Sequence, residues 1–443
     1  MPKTSKKKHR PAPPANPAAG GSAAGPSSSN YRWTICALLF AATTINYIDR
    51  NIIGILKEDV LIKQLGWTEV DYGDVVFYFQ IAYAFMMIAA GGIIDRIGTK
   101  LGFALAIIWW SFAAMGHAIS GTVVAFMFWR FMLGIGEAAN FPAAIKTVAE
   151  WFPKRERALA TSIFNSGSNI GAIITPFAVA GILAVWGWQM VFIALGAVGF
   201  LWLIFWWLMY QRPEDHPRVS KAELDYIHSE PIEPTEKLPW LPLLRYKETW
   251  AFFLAKGLTD PVWWFYLFWI PGFLSRRFEV TIGKVGWPLM VIYIMASVGS
   301  IAGGWLAAVL LKRGWSVNAA RKTTLLTFAL AVTPVFIAAT TSSLTLAVLL
   351  FGLACGAHQG WSANIFTTPS DMFPKRWIAS VTGLGGCAGA GGGMIMAKLV
   401  SRHLNQNPND YLPILIPCGL IYLVALLIFH FMVPKMDQVA IKS

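Results

Sequence analysis

The stretch EWFPKRERA (Glu150–Ala158) returns as DMFPKRWIA (Asp371–Ala379), an offset of 221 residues in a chain of 443. Each copy closes a long apolar run and precedes another. Counting the runs puts each copy at the fourth connection of a set of six. An FPKR core at equivalent positions of two sets is hard to obtain by chance, so the chain reads as one plan used twice.

Working outward from the repeat, twelve apolar runs appear, near 32–56, 73–94, 101–120, 122–149, 158–185, 188–209, 250–274, 285–311, 322–341, 343–369, 377–400 and 409–433. Runs of about 20 residues match the length of a membrane-spanning helix. They are continuous rather than alternating, which predicts helices and not barrel strands. Composition agrees. The chain is 56% hydrophobic and 13% charged, against about 25% charged in soluble domains. Mean hydropathy is +0.53. The expected fold is an all-α integral membrane protein of twelve transmembrane helices in two six-helix pseudo-symmetric halves.

The net charge of +13 raises the possibility of a nucleic-acid partner, but its placement excludes one. Lys and Arg gather in short connections: Arg96, Lys100, Lys154, Arg155, Arg157, Lys312, Arg313, Arg321, Lys322, Lys375 and Arg376. The opposite connections hold few, among them Lys57, Lys63, Arg276, Arg277, Lys284 and Arg402. This bias orients helices in a membrane and predicts both termini in the cytoplasm, the protein being multi-pass in the inner membrane. Residues 1–30 are predicted as a disordered basic tail rather than a cleaved signal, because no apolar region follows PKTSKKKHR closely. The expected halves are 31–210 and 250–434, joined by a cytoplasmic loop at 211–249 and followed by a cytoplasmic tail at 435–443. Cys36, Cys355, Cys387 and Cys418 lie apart within apolar runs and show no metal spacing, so they read as small buried hydrophobes.

Charges inside apolar runs mark the functional residues, since each is costly in hydrocarbon. TINYIDRNI (Thr44–Ile52) carries Asp49 and Arg50. Burial favours the neutral form of a carboxylic acid, so such an Asp can bind and release a proton. An Arg cannot discharge and needs an anion, for which a carboxylate is the natural bidentate partner. The bland alternative is a solvated pair at the outer end of helix 1. In the fourth run Arg130 and Glu137 are seven residues apart, which places both on one helix face about 10 Å apart. The repeat maps Arg130 onto Phe351 and Glu137 onto His358. Proton and anion chemistry is therefore expected in the first half only.

The seventh run holds Lys256 and Asp260, four apart, with Trp263, Trp264, Tyr266 and Trp269 between Pro261 and Pro271. The aromatics can stack on a sugar acid or pack against lipid, and the prolines allow a local break. His358, Gln359, Ser362 and Asn364 are polar residues of the tenth run. They suit hydroxyl groups of a substrate, or serve as interhelical glue. GLGGCAGAGGGM (Gly383–Met394) reads as close helix packing. GGIIDRIGTK (Gly91–Lys100) reads as a latch between helices 2 and 3, with Gly91 or Gly92 permitting close approach, Asp95 pairing with a cation or a helix N-terminus, and Arg96 and Lys100 beside it.

That last segment resembles the signature loop of the major facilitator superfamily, with Thr99 where the pattern has Arg. Together with INYIDR, FWRFMLGIGEAANFPAAIKTV, LTDPVWWFYLFWIP and HQGWSANIFTTPSDMFPK, it makes residues 32–433 resemble the anion:cation symporter family, bacterial hexuronate transporters in particular. The resemblance implies uptake of a small carboxylate with protons. It implies protonation sites at Asp49 and Glu137, anion contacts or acid pairing at Arg50 and Arg130, and a carboxylate contact at Tyr83. Ser168 stands where galactonate-type relatives carry Gln, which leaves another organic anion open: an aldonate, tartrate or an aromatic carboxylate. No cofactor, no metal and a monomer are expected. A membrane enzyme would need nucleophile or metal clusters, and a sensor would need a soluble signalling domain; neither signal is present in the sequence.

Overall fold

The computed structural model describes residues 29–229 and 241–439. The expectations for residues 1–28, 230–240 and 440–443 lie outside them. The described residues form helices and connections without strands. The helices are α1 (Tyr31–Leu56), α2 (Glu69–Ile97), α3 (Thr99–Gly116), α4 (Val123–Glu137), α5 (Asn140–Trp151), α6 (Lys154–Met209), α7 (Lys221–Ile227), α8 (Lys247–Phe278), α9 (Gly286–Lys312), α10 (Val317–Val332), α11 (Ile337–Thr340), α12 (Leu344–Ile365), α13 (Thr368–Met372), α14 (Lys375–Gln406) and α15 (Leu412–Met432).

These make twelve crossings. The fourth combines α4 and α5 across a turn at Ala138–Ala139. α6 supplies the fifth and sixth, bent at Gly187, whose φ of 83° is open to glycine. The ninth combines α10 and α11, and the tenth α12 and α13. An even number of crossings brings the start of α1 and the end of α15 to one face, called here the terminus face.

Seven helices among the described residues are long and apolar enough to cross a membrane, and one of them, 159–209, covers two crossings. The first, fourth, seventh and eleventh crossings fall short. They are the ones that hold Asp49 and Arg50, Arg130 and Glu137, Lys256 and Asp260, and the glycine run with Lys398. The fourth falls short by length, being split into helices of 15 and 12 residues; in the first, the charged residues lower the hydropathy.

Two helices start ahead of their apolar runs because polar caps extend them: Thr68 and Asp71 form a capping box ahead of α2, and Ser316 caps α10. Side-chain acceptors there satisfy the orphan N–H groups of a first turn. α8 continues through Pro261 and Pro271 without a break.

Within the first six crossings α1 packs on α6 and α2 on α4; within the last six, α8 packs on α14 and α9 on α12. Between the sets, α2 meets α14, α6 meets α9 and α1 meets α8. In crossing numbers these are 2 with 11, 5 with 8 and 1 with 7. Exchanging the halves converts the first pair into the second and returns the third to itself, which is the signature of a pseudo-twofold axis.

The halves are closed at the face opposite the termini. One apolar core runs from Ile52, Trp67, Tyr72 and Val179 into the second half, while a separate core from Ile35 to Ile227 draws its buried members from the first half and the central connection, with Trp264 packed against it. An ion cluster seals the closed end. Lys57 Nζ lies 2.9 Å from Glu69 Oε1, and Arg276 reaches Glu58 at 2.7 Å and Glu69 at 2.5 Å. Asp74 and Lys398 form a second ion pair between α2 and α14.

On the terminus face the central connection is ordered around α7. Its Glu223 is fully buried and accepts from the backbone N–H groups of Tyr31 and Arg32, both at 3.1 Å. It also accepts from Ser29 Oγ. A side chain from a loop nearly 200 residues away thus caps α1, and Ser29 and Asn30, expected in the disordered tail, are held in place.

Candidate functional site

The site forms where α1, α2, α4 and α8 meet. Small residues bring the helices together. A Cβ on Gly134 of α4 would lie 2.4 Å from the Phe79 carbonyl of α2, and one on Gly136 would strike Trp110 of α3. Gly167 and Gly171 give α6 the same close fit on α1. Backbones at that distance leave charged side chains no route to lipid, so they meet each other.

Arg50 donates from Nε to Glu137 Oε2 at 2.9 Å and from Nη2 to Asn46 Oδ1 at 3.0 Å. Asn46, one turn earlier on α1, reaches the Glu137 carbonyl at 3.5 Å. Four rings surround the guanidinium: Tyr47 at 4.6 Å, Tyr83 at 4.9 Å, Phe79 at 5.4 Å and Trp264 at 5.6 Å from Cζ. Aromatic faces stabilise a desolvated cation, and Trp264 brings the second half into this cage.

Arg130 donates from Nη1 to the Arg50 carbonyl at 3.3 Å. Its Nε and Nη2 are buried without partners, as are both carboxylate oxygens of Asp49 and Oε1 of Glu137. Asp49 is only 1% exposed. Buried charges without hydrogen bonds are costly unless something else meets them. The Arg130 donors can take an anion as partner, and carboxylates without partners can carry a proton.

The other candidate residues lie elsewhere. Ser168 donates to the Asn165 carbonyl of its own helix at 2.7 Å. Tyr266 is buried in the second half, with its ring on Phe351. His358 bonds Tyr422 at 2.7 Å through Nδ1 and stacks on Trp263 with centroids 5.1 Å apart. Asn364 donates to the carbonyls of Gly303 and Gly360, both at 2.9 Å, joining α12 to α9. Gln359 and Ser362 are half-buried on α12. Lys256 pairs with Asp260 at 2.7 Å.

In the latch segment, Asp95 pairs with Lys146 of α5 at 3.0 Å, Arg96 is exposed, and Lys100 lies over Trp207. Thr99 donates to Glu150 at 2.6 Å. A Cβ on Gly91 or Gly92 would meet open space. The close approach expected of Gly91 is therefore absent in this conformation; α2 packs tightly elsewhere, with Gly73 against Ser401 of α14 and Phe79 against Gly134 of α4. Asn46, Tyr47, Phe79 and Gln80 join the site without being expected there from the sequence. Asn46 was signalled by its place four residues before Arg50, and Gln80 by being an amide in an apolar run.

Two pseudo-symmetric halves, sealed at one face and enclosing a buried charged site, define a membrane transporter rather than an enzyme. The chain belongs to the Major Facilitator Superfamily, whose profile matches residues 39–435. It is 30% identical over 363 residues to the hexuronate transporter of Escherichia coli (strain K12), covering 80% of this chain and 83% of that protein. It is 28% identical over 422 residues to the D-galactonate transporter of Escherichia coli O6:H1, with 92% and 97% covered. Its fold matches the crystal structure of a D-xylose-proton symporter with TM-score 0.72 at 14% identity, over 92% of this chain and 99% of the other.

Proposed function

We propose that this transporter imports sugar acids, hexuronates such as galacturonate and glucuronate, together with protons. It does so by alternating access across the inner membrane, with both termini cytoplasmic. The observation that carries the reading is the caged Arg50–Glu137 ion pair beside the open fork of Arg130. The hexuronate transporter named above supports the substrate class.

The pair works as an internal substitute for the substrate. In the empty carrier Glu137 neutralises Arg50. An incoming carboxylate competes for Arg50 and takes the free donors of Arg130. Glu137, displaced, becomes a buried uncompensated acid unless it takes a proton, and Asp49 is in the same position. Substrate and proton therefore favour each other's binding, which is the differential affinity coupling requires. Residues 31–210 and 250–434 act as the two rocking bodies, and the whole path lies within one chain, so a monomer suffices. A D-galactonate transporter of similar coverage favours a second reading, the same machine for an aldonate.

The test is uptake of labelled galacturonate, glucuronate and galactonate into proteoliposomes under an imposed inward proton gradient. Gradient-driven accumulation of a hexuronate is expected. Accumulation of galactonate alone selects the second reading, and no accumulation of any sugar acid rejects both.

A further inference from the structure

We propose that Gln80 recognises hydroxyl groups of the substrate, completing a site whose charged end is Arg50 and Arg130. This rests on the sugar-acid reading above. Gln80 sits on α2, three residues before Tyr83 and next to Phe79, so it borders the cage around Arg50. It is fully buried, and neither Oε1 nor Nε2 has a hydrogen-bond partner. Among the described residues it is the only Asn or Gln with every side-chain polar atom buried and unpartnered.

Its surroundings are built around the amide. Gln80 lies in the contact between α2 and α14, the join between the halves. A Cβ on Gly393 would stand 3.1 Å from Gln80 Nε2 and 2.7 Å from Trp264 Cδ1. The end of the glycine run at 383–394 thus keeps this space free, and Trp264 is shared between Gln80's pocket and the cage.

An amide buried without partners is less stable than an apolar side chain of the same shape. A partner in another state of the transport cycle would offset that cost. The partner's chemistry follows from the inventory of donors and acceptors. A carboxylate satisfies Nε2 and leaves Oε1 unmet; a cation does the reverse. A vicinal diol satisfies both, one hydroxyl donating to Oε1 while its neighbour accepts from Nε2. With the carboxylate held by the arginines, the hydroxylated carbons of a sugar acid present that pattern. Ser168 has its own proton committed to Asn165, so toward a substrate hydroxyl it can only accept.

The experiment uses Gln80→Met, close to isosteric and apolar, in the full-length protein in proteoliposomes. The readouts are KM and kcat for galacturonate, and the Ki of tetrahydropyran-2-carboxylate, which has the ring and the carboxylate without the hydroxyls. KM is expected to rise about tenfold or more with kcat little changed, while Ki stays within about twofold. An unchanged KM overturns the assignment, and so does a rise of KM and Ki together, which marks a packing role. Gln80→Asn, which keeps the amide and retracts it, should raise KM less than Gln80→Met. Thermal unfolding of each variant separates misfolding from lost recognition. Failure of the wild type to move any sugar acid rejects the functional reading itself, whereas normal wild-type transport with an indifferent Gln80→Met rejects this inference alone.

Discussion

Arg50 and Glu137, 87 residues apart in sequence, form an ion pair of 2.9 Å with side chains 2% and 0% exposed. A buried pair loses strongly when one partner is removed, because the survivor stays charged. Glu137→Gln keeps an acceptor oxygen for Arg50 and abolishes titration. It should exchange substrate across the membrane yet fail to concentrate it. Counterflow and gradient-driven uptake measured side by side decide this; concentrative uptake with normal pH dependence would remove Glu137 from coupling.

Arg50→Lys preserves charge and removes the fork that holds Glu137 and Asn46 at once. A lysine also loses the planar contact with the four rings. Substrate affinity should fall about 10- to 100-fold, the range for losing hydrogen bonds to a charged group. Binding measured by tryptophan quenching or calorimetry checks it, and near-normal affinity would make the residue structural.

Asp49→Asn addresses pH. A substrate anion binds most readily when neighbouring acids are protonated, so wild-type affinity should weaken as pH rises through their titration. Removing the partnerless Asp49 carboxylate should flatten that dependence while binding persists. Identical pH profiles for the two proteins would exclude Asp49 from coupling.

Arg276→Gln tests the seal at the closed face, where Arg276 of α8 holds Glu58 and Glu69 from the first half. Loss of this partner leaves two acids against Lys57 alone and should shift the population toward opening at that face. A cysteine at Val76, buried in the shared core, should then react faster with a membrane-impermeant maleimide. No acceleration in the background lacking native cysteines would show that the seal lies elsewhere.

Gly299→Ala tests the helix packing of the second half. The added Cβ would fall 2.0 Å from the Gly356 carbonyl oxygen, with backbone on both sides. Overpacking of this kind costs about 1–3 kcal/mol, and a lowered thermal unfolding temperature is expected. An unchanged midpoint would mean that α9 and α12 separate freely.

The sequence by itself determined the twelve crossings and their two-fold repetition, because continuous apolar runs fit helices and not the alternation of barrel strands, and a duplicated connection preserves its register. It also marked Asp49, Arg50, Arg130 and Glu137, because charge in an apolar run is conspicuous at any position. It left open which of them pair, since partners such as Arg50 and Glu137 come from different helices and are matched only by close backbone packing at Gly134, Gly136, Gly167 and Gly171. The cage of Tyr47, Phe79, Tyr83 and Trp264 was hidden for another reason: aromatic residues are common in membrane helices, and only the tertiary arrangement turns four of them toward one cation. The cap that Glu223 places on α1, the seal of Lys57, Glu58, Glu69 and Arg276, and the stranded amide of Gln80 were likewise decided in three dimensions. Each depends on which polar groups are brought together or left alone once water is excluded, and no local pattern along the chain records that.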